Sequence, residues 1–355
     1  MKVIIAPLHW GLGHATRMLP IIQVLLDNGF HVHLASDGEA LAVLTDHFPT
    51  LPATQLPSYN IQYKHSSLLK NSVHLASNLL QTIPKEKKAI RHLAKAIQAD
   101  IIISDNRYGC YTDFTKNIFI THQLHILTGH LMDWPVNQVN KYLLKPFDEI
   151  WVPDFPDTPN LAGKLAHPPQ MDKVSYIGGL SRFRILPPSP IKYDITAILS
   201  GPEPQRSLFE AQILTQFKAS KLKTAIIRGK PLTSAQNRIK NMTIIDYAST
   251  DQLTQILASS HMIISRPGYS SIMDYAAMGL FGQQKKTILF VPTPGQPEQI
   301  YLAEKFKQAG ITYAVNQNRL DIERDLMLAQ KMPRQLQISP NPDLLLQRIL
   351  GLKAF

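Results

Sequence analysis

The run Ile263-Ile264-Ser265-Arg266-Pro267-Gly268-Tyr269-Ser270-Ser271-Ile272-Met273-Asp274 decides how this chain is read. Apolar residues continue to Ile264, Pro267 and Gly268 break the run, and helical spacing begins near Ser270. A strand that passes through a tight turn into a helix is the repeating step of an α/β sheet. The free N–H groups at such a helix start, with the hydroxyls of Ser270 and Ser271, suit an anion such as a diphosphate. Asp274 lies one turn further and can accept both hydroxyls of a ribose. The plainer alternative is that a serine caps the helix and Asp274 complements its dipole.

The same step recurs on both sides of this stretch. Downstream of residue 190, Asp194–Leu199, Thr224–Ile227, Met242–Ile245, Met262–Ile264 and Thr287–Val291 read as strands. Ser207–Lys218, Leu253–Ala258, Ser270–Met278 and Gln299–Gln308 read as helices. Polar loops follow the strands. Ser200, Gly201, Gln205 and Arg206 lie in one, Arg228 in the next, Tyr247 in the third, and Glu298 with Gln299 in the last. Arg206 and Arg266 are candidate phosphate clamps. Glu298 and Gln299 can read sugar hydroxyls, because they combine donors and acceptors.

Upstream, Val3–Ala6, Phe30–Ala35, Asp100–Ser104, Asn117–Thr121 and Glu149–Val152 read as strands. His14–Asp27, Glu39–Leu44 and Lys85–Gln98 read as helices between them. Near-continuous apolar strands alternating with helices predict parallel sheets covered on both faces. The segment 176–190, YIGGLSRFRILPPSP, can continue neither a helix nor a central strand and reads as a linker. The expectation is therefore an α/β protein of two Rossmann-like, doubly wound domains facing across a cleft. Residues 1–180 form the first domain and 181–342 the second, with a last helix over 343–355 packing back on the first.

The first strand leads into Pro7-Leu8-His9-Trp10-Gly11-Leu12-Gly13-His14-Ala15-Thr16-Arg17. Gly11 and Gly13 allow close approach of a ligand, and His14 stands at the helix start. A dinucleotide-binding loop would carry a third glycine where Thr16 stands, which disfavours an oxidoreductase even with Asp37 at the end of the second strand. Of the 13 histidines only His261 lies beyond residue 170. His122 and His125 lack a partner acid at metal-ligand spacing, and His31 and His33 alternate along a strand as ordinary packed or solvated residues. No metal and no cofactor is expected.

Composition agrees with a globular protein: 44% hydrophobic, 18% charged, with Cys110 the single cysteine. No disulfide framework is available, and no apolar run reaches the roughly 18 residues that cross a bilayer. A cytoplasmic protein is expected, with room for peripheral contact at the inner face of a membrane. The net charge is +11, carried mostly by the second half: 15 Lys+Arg against 14 Asp+Glu over residues 1–180, and 22 against 12 beyond. This suits an anionic ligand. Without a dense basic run or a stacked-aromatic motif, a nucleic-acid partner is not expected. The segment Tyr59–Leu80 mixes apolar and basic residues and is a candidate surface for a lipid-linked acceptor, or ordinary packing.

These residues together resemble family 28 glycosyltransferases and related GT-B enzymes, including lipid II-forming N-acetylglucosaminyltransferases and monogalactosyldiacylglycerol synthases. Gly11-x-Gly13-His14 is similar to that family's N-terminal glycine loop. Ser265-Arg266-x-Gly268 through Asp274 is similar to its donor motif, with Asp where the family has Glu. The Pro292–Gln299 loop matches in its proline and in Gln299. The 200–206 loop departs from the family's Gly-Gly-Ser pattern. The resemblance implies inverting, metal-independent transfer of a sugar from a UDP-sugar or another nucleotide sugar. The acceptor would be a lipid-linked or saccharide hydroxyl in cell-envelope polysaccharide or glycolipid synthesis. His14 would be the base or orient the acceptor, with Asp37 and His122 as weaker candidates. Two alternatives keep the same architecture: a nucleotide-sugar 2-epimerase, and a non-catalytic nucleotide-sugar-binding protein.

Overall fold

The computed structural model describes the chain except residues 11, 60–67, 129–131, 169–170, 186–188, 202, 219, 231–234, 283–285, 333–335, 337–341 and 355. The chain divides into two compact units, with the boundary between Arg182 and Phe183.

The first unit runs β1 (Lys2–Pro7), α1 (Gly13–Asp27), β2 (His31–Ser36), α2 (Gly38–His47), β3 (Ala53–Gln55), α3 (Leu68–Ile97), β4 (Ile101–Asp105), β5 (Lys116–Ile120), α4 (Asp133–Leu144), β6 (Glu149–Val152) and β7 (Val174–Tyr176). Its strands form one parallel sheet in the order β3-β2-β1-β4-β5-β6-β7. Every residue of β4 is buried, which is why that strand reads as a continuous apolar run rather than an alternating one. Ile4, Ala6 and Ile102 of the central strands pack against Ile90, Leu93 and Ala94 of α3. The expected helix over Lys85–Gln98 is only the second half of α3, which continues upstream through Pro84. Proline fits a first helical turn, so the sequence invites a start there, but this one lies inside the helix.

The second unit runs β8 (Tyr193–Ile198), α5 (Gln205–Phe217), β9 (Thr224–Ile227), β10 (Gln236–Ile239), β11 (Met242–Ile245), α6 (Thr250–Ala258), β12 (Ser260–Ser265), α7 (Tyr269–Ala277), β13 (Thr287–Phe290), α8 (Pro297–Gln308), β14 (Tyr313–Ala314) and α9 (Ile322–Gln330). The sheet order is β10-β11-β9-β8-β12-β13-β14, parallel except for the β10–β11 hairpin. Its core joins Ile195, Ala197, Ile226 and Ile264 of the strands to Phe209 and Ile213 of α5 and to Leu326 of α9. The last helix, α10 (Pro342–Gly351), belongs to the first unit and packs on α1. Among the described residues no helix is long and apolar enough to cross a membrane.

Both sheets reverse their direction of growth once. In the first the reversal falls between β1 and β4, and in the second between β8 and β12. At such a point the two flanking connections leave on opposite faces, and a crevice opens beyond the strand C-termini.

Candidate functional site

At the reversal of the first sheet, β1 and β4 pair in parallel and Pro7 stands opposite Asp105. Leu8 N donates to Asp105 O at 2.9 Å, which holds the start of the glycine loop against the end of β4. Gly11 lies outside the described residues. Gly13 opens α1, so His14 and Arg17 fall on its first turns, one turn apart on the same face. His14 Nδ1 lies 3.1 and 3.2 Å from the two Asp105 carboxylate oxygens. Arg17 Nε donates to Asp105 Oδ2 at 2.7 Å, and its Nη2 contacts Oδ1. Arg17 Nη1 reaches His122 Nδ1, beyond the end of β5, at 3.1 Å. Four residues from three connections thus close one buried cluster.

The electrostatics of the cluster follow from burial and pairing. Burial pushes the Asp105 carboxyl upward, but the Arg17 guanidinium and His14 outweigh it and hold Asp105 at about 2. Burial pushes His14 down, and the nearby Arg17 adds to that, so it stays below the usual histidine value despite Asp105. His14 is therefore neutral at neutral pH. Arg17 Nη2 also lies 2.8 Å from His14 Nδ1, so two tautomers compete. With the proton on Nδ1, His14 donates to Asp105 and Nε2 carries a free lone pair. With Nδ1 bare, it accepts from Arg17 and Nε2 is a donor.

A second buried network lies beside this one. Asp37, at the N-cap of α2, accepts from Arg107 Nη1 at 2.6 Å, and Arg107 Nε reaches Glu86 Oε1 at 2.5 Å. Glu86 also accepts from Tyr59 Oη and from Gly109 N. Arg107 is fully buried between two carboxylates, so this network braces α3 against the strand ends. Asp37 faces His9 Nδ1 at 3.2 Å rather than His14. A Cβ on Gly38 would lie 2.2 Å from the His9 ring, and Gly38 has φ +52°, so only glycine leaves room for that imidazole. Asp37 is therefore an orienter of His9.

In the second unit the connections after β8 and β12 flank the reversal. Ser200 is half-buried, and Gly201 has φ +97°. Gly268 is the N-cap of α7, extended, and no side chain caps the helix. The plainer alternative, that Ser270 or Ser271 caps the helix, is not met; both are half-buried in the first turn. Asp274 is half-buried one turn on, and Glu298 is half-buried at the start of α8. Tyr247, half-buried, follows the end of β11.

Three arginines expected near these strand ends, Arg206, Arg228 and Arg266, are engaged within the protein. Arg266 is fully buried. Its Nη1 donates to the carbonyls of Val291 (2.9 Å) and Pro292 (3.1 Å), and its Nη2 to Gln205 O (3.3 Å) and Gln317 Oε1 (2.6 Å). The guanidinium also stacks 4.0 Å from the Phe209 ring centroid. Burial lowers Arg266 to about 9, which leaves it charged at neutral pH. The expected phosphate clamp is, in this geometry, a brace that ties the Gln205, Val291 and Gln317 connections together. Arg206 contacts Glu203 and lies 3.4 Å from Glu210 Oε2, while Arg228 bridges Glu210 at 2.6 Å and Asp246 at 2.9 Å. Gln299, expected to meet a sugar, uses its Oε1 to accept from Thr293 N at 2.8 Å. The main chain at the start of α7 has no side-chain cap.

Sequence reasoning singled out His14 and weighed His122, but it missed Asp105 and Arg17. An acid directly after the predicted strand Asp100–Ser104 was the available signal. Among the described residues no three His, Cys, Asp or Glu side chains converge as a metal site.

Comparison with known proteins bears on this geometry. Residues 198–337 match the model of the glycosyltransferase family 28 C-terminal domain. No curated protein sequence matches the chain. In structure the chain is similar to the spinosyn forosaminyltransferase SpnP, at TM-score 0.63 and 14% identity, covering 100% of both chains. It is similar to the kitacinnamycin glycosyltransferase at TM-score 0.61 and 14% identity, covering 99% of this chain and 94% of that one. It is also similar to MurG of Acinetobacter baumannii at TM-score 0.55 and 16% identity, covering 100% and 99%. The fold is GT-B, its second unit resembles the family 28 C-terminal domain, and the two findings together support glycosyltransferase activity.

Proposed function

We propose that this protein transfers a sugar from a nucleotide-sugar donor, a UDP-sugar in the first instance, to an acceptor hydroxyl, with inversion and without a metal. The observation that carries the proposal is the contact of half-buried His14 with buried Asp105 at the reversal of the first sheet. In the Nδ1–H tautomer His14 takes the acceptor proton on Nε2. Asp105, ionised far below neutral pH, fixes that tautomer and stabilises the imidazolium as it forms. Arg17 holds the carboxylate in place through Nε.

The donor side rests on the second unit. The uncapped start of α7 offers N–H groups to the leaving diphosphate. Ser200, Gly201, Ser270 and Ser271 lie in the connections at that reversal, and Asp274 and Glu298 are the acids that would accept ribose and sugar hydroxyls. Arg206, Arg228, Arg266 and Gln299 shape these connections from behind.

The test begins with melting curves in UDP, GDP and TDP and their sugars. TDP belongs in the panel because a structurally similar rhamnosyltransferase, SpnG, is solved with thymidine diphosphate. Release of nucleotide diphosphate from the stabilising donor is then followed in wild type and His14→Ala, with and without a chelator. Stabilisation by one nucleotide and a chelator-insensitive rate that falls about a hundredfold in the variant support the reading. Indifference to every nucleotide, or near-normal release by His14→Ala, rejects it. Conversion of donor alone into a second nucleotide sugar would identify an epimerase.

A further inference from the structure

The basic charge of the second half suits an anion, yet Arg206, Arg228 and Arg266 meet partners within the protein. Much of the excess collects elsewhere. Residues 218–241 carry seven Lys+Arg and no Asp or Glu. This stretch builds the outer strands of the second sheet. β9 and β11 are parallel neighbours, and the chain passes between them through β10, which pairs with β11 as an antiparallel hairpin. Parallel neighbours are ordinarily joined by a crossover helix, which covers one face of the sheet. Among the described residues no helix lies between β9 and β11.

The side chains show which face this leaves open. Met242 and Ile244 of β11 are buried in the core that includes Phe209 and Ile213 of α5. Thr243 points the other way, is half-buried, and stands opposite Arg238 of the fully exposed β10. A cavity of about 500 Å³ lies there, lined by Lys192, Lys223 and Arg238 with Gln236, Asn241 and Thr243. A second cavity, of about 580 Å³, shares Lys192, Tyr193 and Lys223 with it and extends the groove toward Ile256 of α6. Among the described residues no Asp or Glu lines either cavity. Asp194, next to Tyr193, accepts from Lys223 N at 2.8 Å.

We propose that this groove binds a small phosphorylated molecule. Lys192 precedes β8 and Lys223 precedes β9, so the groove lies at the strand starts. The connections after β8 and β12, which carry the proposed donor site, lie at the other end of the same strands. Three cations from three parts of the chain meet in a volume of ligand size. They offer charge-assisted hydrogen bonds to phosphate oxygens, and the amides of Gln236 and Asn241 can read hydroxyls or carbonyls beside them. A nucleic-acid strand fits less well. Tyr193, the one aromatic among the described lining residues, is buried and offers no platform for stacked bases. The groove is separate from the segment 59–80 suggested by composition, of which residues 60–67 lie outside the described residues.

The test titrates inorganic pyrophosphate into the full chain at low salt and follows methyl signals by NMR. Thr243 reports on the groove and Ile272, on α7, on the strand tips. The Thr243 signal is expected to shift saturably, with half-saturation below about 1 mM that rises with salt. Lys223→Gln/Arg238→Gln should weaken this response at least about tenfold, and Ser270→Ala/Ser271→Ala should leave it within about twofold. The groove variant should melt within about 2 °C of wild type, because both replaced side chains are exposed. A silent Thr243 signal, or equal affinity in the groove variant, overturns the proposal. So does a single-stranded oligonucleotide that moves the Thr243 signal at about a hundredfold lower concentration than pyrophosphate. No sugar donor or acceptor enters the assay, so its outcome is independent of the transfer reaction.

Discussion

At the reversal of the first sheet, side chains meet side chains: His14, Asp105, Arg17 and His122 converge from three connections. At the reversal of the second, the arginines meet partners within the protein. Arg266 is engaged by carbonyls, and Arg206 and Arg228 by Glu203, Glu210 and Asp246. Two sheets of the same plan thus offer different chemistry. The first presents an imidazole with a fixed partner, which suits proton transfer. The second presents, at the start of α7, main-chain N–H groups without a side-chain cap, which under the proposed function would meet a diphosphate that is released after each turnover. A free arginine there would bind product as tightly as it binds the developing charge.

The largest expected effect tests the first half of that contrast. Asp105→Asn should lower turnover on the order of a thousandfold while nucleotide affinity stays within about twofold, because the amide favours the wrong tautomer of His14. The acidic limb of the pH–rate profile should lie below pH 6.5, since burial lowers His14 from that value and only the neutral ring accepts a proton. A limb above pH 6.5 would reverse the assigned roles.

Arg266→Met tests the second half. It strands the carbonyls of Val291, Pro292 and Gln205, and denaturant melts should show a loss of about 3 kcal/mol. Unchanged stability with collapsed nucleotide affinity would make Arg266 a ligand contact and erase the contrast.

Acid unfolding comes next in size. Asp105 falls from 3.8 to about 2 in the folded chain. A depressed carboxylate stabilises the fold above its unfolded value and loses that contribution as pH falls through the folded one. Wild type should therefore lose roughly 2 kcal/mol between about pH 4 and pH 2 that Asp105→Asn does not lose. Parallel pH curves for the two proteins would contradict the buried ion pair.

The smallest effect compares two helix starts in the second unit. Ser249 caps α6 in a reciprocal capping box with Gln252, whereas α7 has no side-chain cap. Ser249→Ala should cost about 1 kcal/mol and leave nucleotide binding alone. Ser270→Ala/Ser271→Ala should change stability by less than about 0.5 kcal/mol and weaken nucleotide binding severalfold. The opposite pattern would make Ser270 and Ser271 structural.

Much of the scaffold was legible because burial on both sheet faces writes itself as uninterrupted apolar runs, as in Ile101–Ile103 and Ile263–Ile264. The strands that escaped notice, β3, β7, β10 and β14, are two to four residues long, and each is an edge strand of its sheet. None of them carries enough periodicity to stand out. α4 escaped for a different reason: of its three buried residues, Asn137, Asn140 and Leu144, two are polar, so no apolar face announced a packed helix.

What the amino-acid order determined alone is the pair of α/β halves and the positions where strands hand over to helices, because those depend on neighbours within one or two turns. Which acid serves which histidine was decided only by strand order. Asp37, 23 residues from His14, went to His9, and Asp105, 91 residues away, came to His14 because β4 lies beside β1. The same holds for Arg266: its motif marks a strand end, but whether its charge faces a ligand or the carbonyls of three distant connections depends on how β8, β12 and β13 lie side by side.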